Sequence, residues 1–185
     1  MGRLLTLYLR SRHVPVALPA AIVAVAALAW LGNSPLNPFE TVTWALLALG
    51  LGFGVLGNGL GAADRALERT GSIRWPVWRT VHVVLIGVVL FGTVALVSSA
   101  PVGLVLRDAA GFTGLAALGA AFFGSQLAWS LPIAWAGASI VLVQLARLPL
   151  LTVFVWPMQP ANQGGAAVLA IVFGLVGVGW FALRG

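Results

Sequence analysis

The chain has 185 residues, of which 61% are hydrophobic and only 8% charged. A soluble globular chain carries roughly 25% charged residues to make a wet exterior, so this exterior must face lipid. The formal net charge of +6 comes from ten arginines against Glu40, Asp64, Glu68 and Asp108. Lysine is absent, and cysteine with it, which excludes disulfides, thiolate nucleophiles, thiolate metal sites and any lysine-dependent phosphate loop.

Residues 2–13, GRLLTLYLRSRH, read as an interfacial helix. At about 100° per residue, Arg3, Thr6, Arg10 and His13 share one face and Leu4, Leu5, Tyr8 and Leu9 the other, with Arg12 out of place. The apolar run that follows resembles a secretory signal, but it precedes more membrane rather than a polar domain and is read as retained.

A spanning helix needs about 20 apolar residues at about 1.5 Å each. That ruler marks Val14–Leu31, Val42–Ala63, Val81–Ser99, Ala109–Gly124, Leu127–Ala146 and Ala166–Leu183. The expected fold is therefore all-α and polytopic, one transmembrane domain over 1–185 with about six spans; four or five is the alternative count. The fourth span is short and its successor begins almost at once, which predicts a tight helical hairpin.

Within the second span, GLGFGVLGNGLG contains a formal G-x-G-x-x-G at Gly52, Gly54 and Gly57. A dinucleotide site needs a strand before and a helix after those glycines, and neither is present. Gly50/Gly54 and Gly57/Gly61 instead keep the four-residue spacing that lets transmembrane helices approach closely. Asn58 in this segment, with Gln126 and Gln144, must find partners inside the membrane. They are candidates either for interhelical hydrogen bonds or for lining a translocation path.

The polar stretch at 64–80, DRALERTGSIRWPVWRT, reads as a loop with a short helix over 63–70. Asp64–Arg65 and Glu68–Arg69 repeat a charge pair four residues apart, so the two acids share a face. Trp75 and Trp78 mark the return to the interface.

Arg107 and Asp108 stand at the expected start of the fourth span, where Asp108 suits the helix dipole and Arg107 reaches headgroups. No acid is expected deep in a span, which argues against proton-coupled transport. Between the last two spans, residues 148–165 are apolar at first but broken by Pro149, Pro157 and Pro160. Such a run predicts a re-entrant or interfacial segment.

Eight arginines (3, 10, 12, 65, 69, 74, 79 and 184) fall on one side of a six-span layout, and Arg107 and Arg147 on the other. The positive-inside rule then places both termini in the cytoplasm and 148–165 outside. The positive charge is thus assigned to topology and membrane lipid rather than to nucleic acid.

Catalytic signatures are missing. His82 and Ser98 or Ser99 share a span but lie about 24 Å apart along it. No nucleophile elbow or metalloprotease motif occurs, and His13 and His82 lack an acidic ligand cluster. The sequence predicts neither an enzyme nor a cofactor site.

The order of parts resembles the membrane subunit of ABC-2-type exporters. In that family an interfacial helix precedes six spans, the cytoplasmic loop after the second span meets the ATPase, and a re-entrant hairpin lies outside between spans five and six. RDAAGFTGLAALGAAFFGSQLAWSLPIAWA (107–136) also looks like spans four and five of small actinobacterial permease-like proteins. The resemblance implies a permease in a bacterial plasma membrane, paired with itself or a sibling. It also implies a separate ATP-binding subunit docked through Asp64, Arg65, Glu68, Arg69 and Arg74. The chain is shorter than most members and its coupling loop matches loosely, which keeps a second expectation open: a non-transporting interaction, immunity or assembly protein.

Overall fold

The computed structural model describes residues 14–34, 36–60, 75–145 and 149–184. The interfacial-helix segment 2–13, residues 61–74, Arg147 and His13 lie outside them.

The described chain is helical, without strands. In order come α1 (Val14–Leu31), α2 (Pro38–Gly57), α3 (Trp75–Val97), α4 (Val102–Phe123), α5 (Ser130–Leu142), the single-turn α6 (Pro149–Thr152) and α7 (Gly164–Arg184). Four of these helices, and α5 extended by its flanking 3₁₀ turns to Ser125–Leu145, are long and apolar enough to cross a bilayer. The apolar α1 is shorter. Their outward faces carry Val23, Leu85, Val88, Val141, Ile171 and Leu175, all exposed. An apolar surface on this scale belongs in lipid. Trp30 and Trp44 stand towards one end of the bundle, with Trp75, Trp78, Trp129 and Trp180 towards the other. Tryptophans towards both ends of the helices suit the two membrane–water interfaces. The chain is a helical polytopic membrane protein.

Several boundaries differ from the hydropathy reading. The first span agrees. The second begins four residues early, at Pro38, and ends in a 3₁₀ turn at Asn58–Leu60. The third begins at Trp75 rather than Val81. The fourth begins at Val102 rather than Ala109 and is a full 22-residue helix. Hydropathy stopped at Arg107–Asp108 because it scores each charge singly, whereas the fold buries the two as a pair.

Two sets of connections mark the two ends. Asn33 Nδ2 donates to the Val97 carbonyl at 2.8 Å, and Asn33 Oδ1 accepts from Ser99 N at 2.8 Å and Ser99 Oγ at 3.1 Å. The α1–α2 and α3–α4 connections are thereby joined at one end. Asn33→Ala is expected to lower thermal stability in detergent by about 1–2 kcal/mol, because three bonds between distant segments vanish together. At the other end the turns at 58–60 and 125–127 touch. Gly124, at φ 82°, lets the chain reverse there between α4 and α5, the expected tight hairpin.

The glycine surface of α2 serves packing. A Cβ on Gly50 would stand 3.4 Å from Ala136 Cβ, one on Gly54 3.1 Å from Ile133 Cδ1, and one on Gly57 3.3 Å from Ala128 Cβ. Three of the four predicted glycines therefore face α5 and the turn before it; Gly61 is outside the described residues. The closest approach is between α4 and α7, where a Cβ on Gly114 or Gly177 would overlap the opposing backbone. Helix α4 lies at the centre, packed by α2, α3, α5 and α7 and buried along most of its length.

Candidate functional site: a buried arginine latch beneath a folded cap

Residues 149–163 do not cross. They form α6, a turn, a 3₁₀ turn at Trp156–Met158 and an irregular stretch that returns to α7 at the same end. Three prolines cause this, since each lacks the N–H a helix needs and constrains its predecessor. The result is a cap over the end of the bundle that carries Asn33 and Ser99.

Irregular backbone near lipid leaves carbonyls that must find donors within the protein. Arg107 supplies them. Its Nη2 donates to the carbonyls of Pro157 at 2.9 Å and Gln159 at 3.0 Å, and its Nη1 to Pro160 at 3.1 Å. Its Nε donates to Asp108 Oδ1 at 2.9 Å. The two side chains are 5% and 1% exposed, so the charge is neutralised in place rather than by headgroups. The expectation for this pair is corrected here: Arg107 points into the protein, and Asp108 lies well inside α4 rather than at its N-terminus. A planar fork of five N–H groups can meet several carbonyls and a carboxylate at once.

Trp156 adds an apolar anchor to the latch. It is fully buried, its ring fills the space a side chain at Gly111 would need, and it packs against Phe112 and Phe173. The Arg107 guanidinium lies 6.0 Å from the centre of that ring. From α5, Trp135 stacks on Phe154 with ring centres 5.4 Å apart, and the Ser139 hydroxyl lies 2.8 Å from the Phe154 carbonyl. Gln159 Nε2 donates to the Thr152 carbonyl at 2.9 Å and closes the cap on itself. Three buried polar atoms here, Asp108 Oδ2, Trp135 Nε1 and Trp156 Nε1, have no hydrogen-bond partner.

Among the described residues, the other predicted ones do not gather into a site. Asp64, Arg65, Glu68, Arg69 and Arg74 lie outside the described residues. Asn58 falls in the 3₁₀ turn that ends α2, not in mid-span. Gln126 and Gln144 are exposed at opposite ends of the extended α5 (Ser125–Leu145), about 27 Å apart along a helix of that length. His82 lies about two turns into α3 and Ser98 just past its C-terminal end, so the two stay apart. Among the described residues no three of His, Cys, Asp or Glu come together as metal ligands.

Sequence reasoning missed the latch, though two signals pointed to it. A charged pair inside an otherwise uncharged apolar run marks a buried, partnered site. A proline-broken apolar segment elsewhere in the chain implies carbonyls in need of donors.

Fold and site together define a helical membrane protein whose non-spanning cap is held by an arginine from the central helix. No family model matches the chain, and neither a curated protein nor a solved structure matches it.

Proposed function

We propose that the chain is the membrane-spanning subunit of an ATP-driven exporter of the ABC type, working with a separate ATPase. The observation that carries this reading is the cap. It is a folded, non-crossing segment between α5 and α7, at the end of the bundle opposite Leu60 and Trp75, as the exporter layout requires. The charge distribution favours both termini on the cytoplasmic side of a bacterial plasma membrane. Arg79 and Arg184 stand at the end away from the cap, and Arg107 near the cap is neutralised internally.

The packed centre of the bundle constrains the route. With α4 filling the middle, substrate would pass between two copies or between this chain and a sibling, and rigid-body rotation of the pair would alternate its access. Co-purification with a co-expressed ATPase tests the docking role. Glu68→Ala/Arg69→Ala is expected to abolish association while leaving thermal stability unchanged, and retained association and transport would remove 64–80 from the mechanism.

The same packed centre favours a second reading, a non-transporting interaction, immunity or assembly protein. That reading predicts no ATPase partner and no flux in reconstituted vesicles.

A further inference from the structure

A second feature of the cap end is independent of ATP-driven transport. A cavity of about 520 Å³ lies between the start of α2, the turn before α4 and the cap. Phe39 and Val42 form one wall, Pro101 and Leu104 the next, and Met158–Ala161 of the cap the third. Its volume is that of a small-molecule site, for which about 300–1,000 Å³ is typical.

The walls are preorganised. The cap wall is fixed because Arg107 binds the carbonyls of Gln159 and Pro160, both lining residues. On the far side, Thr41 Oγ1 accepts from Ser34 N at 3.2 Å and donates to Ser34 O at 3.3 Å. The turn between them is held by Ser99 and Asn33.

The lining chemistry selects a ligand class. Most of the surface is carbon, and no charged side chain is among the lining residues. The hydroxyl protons of Thr41 and Ser99 are donated to Ser34 O and Asn33 Oδ1, so these two offer lone pairs, whereas the lining residues Ser34 and Gln159 also carry donors, a hydroxyl and an amide NH₂. A matching ligand brings a group that both donates and accepts, as a hydroxyl does, carries no charge and is otherwise apolar. Exposed Phe39 and Val102 continue the apolar surface away from the cavity, a path by which a bilayer-dissolved molecule can enter.

We infer that this cavity binds an uncharged, hydroxyl-bearing amphiphile, either a membrane lipid of that kind or a free apolar alcohol, and that Arg107 positions its third wall.

The test is photolabelling of the full chain in phosphatidylcholine nanodiscs with a diazirine-bearing long-chain alcohol, without any ATPase. Crosslinks should concentrate in peptides containing Phe39–Val42 and Met158–Ala161. A quaternary-ammonium probe of the same chain length should label those peptides about tenfold less, because its charge finds no partner there. Ala161 is exposed, so Ala161→Trp should fill the cavity and abolish the focused labelling without changing thermal stability. Competition by monoacylglycerol in the disc would identify the source as lipid, and competition only by a short aqueous alcohol would identify a free solute. Labelling spread over the lipid-facing residues of α3 and α7, or equal labelling by the ammonium probe, would overturn the site. So would focused labelling that survives in Ala161→Trp. Failure of the ATPase to associate would leave the cavity untouched.

Discussion

Arg107→Met is expected to destabilise the protein by about 3–5 kcal/mol and to free the cap from the bundle, because it leaves a buried carboxylate without its counter-charge. The three cap carbonyls lose their donors in the same step, and neither Pro157 nor Pro160 has an N–H with which to reorganise the segment. Arg107→Lys should recover little, since one ammonium cannot reproduce a planar fork spread over four acceptors. Asp108→Asn should be milder, about 1–3 kcal/mol: the guanidinium loses its counter-charge, but an amide oxygen can still accept from Nε and three carbonyl dipoles still solvate the cation. The double variant Arg107→Met/Asp108→Leu separates the two roles. Removing both charges should make it more stable than Arg107→Met alone, yet less stable than the parent, because the carbonyls remain unmet. Thermal unfolding in detergent measures the ranking. The absence of native cysteine allows a direct readout of the cap: a lone cysteine at exposed Gln163 should react with a polar thiol reagent faster in the Arg107→Met background. Equal reactivity in the two backgrounds would show that the cap holds without the arginine.

Gly114→Val is expected to be the most damaging single change in the helical packing. A methyl at Gly114 would run into the carbonyl of Phe173, and one at Gly177 into the carbonyl of Gly114. The obstacle in both cases is backbone, so no rotamer change relieves it and the two helices must separate. The loss should exceed the roughly 1–3 kcal/mol typical of an overpacked core. Gly103 and Gly179 are the internal controls on the same two helices. A Cβ at either meets nothing within 4 Å, and alanine there should shift stability by no more than about 0.5 kcal/mol. A similar cost for Gly114→Val and Gly179→Ala would mean that the α4–α7 crossing is not set by close backbone approach.

Arg107 and Gly114 lie seven residues apart on the central helix, about two turns along one face. Helix α4 meets α7 through glycine, and at its cap end it carries the arginine that organises the segment leading into α7. A change in the cap is thereby linked to the last crossing through Arg107, Trp156 and Phe173. Under the exporter reading, this linkage would carry motion between the cap and the spans.

Much of the architecture was legible from residue types. The oily runs revealed helices in lipid, because a scarcity of charge leaves no other solvent for the exterior. The glycines of α2 announced a packing face through their spacing alone, and Pro149, Pro157 and Pro160 announced a segment that could not cross. Each of these signals is local, and each acts through a property of the backbone or of a single side chain. The fate of Arg107 and Asp108 was of another kind. Read singly, two charges belong at a helix end, facing headgroups. They sit inside α4 because carbonyls some fifty residues away come to lie over them, and because each charge answers the other. The separation of Gln126 from Gln144 and the cavity beneath the cap likewise arose only when distant segments met. Sequence determined the solvent, the helices and the breaks. Tertiary structure decided which polar groups are partners, because the electrostatic cost of burying a charge depends on what the fold brings beside it.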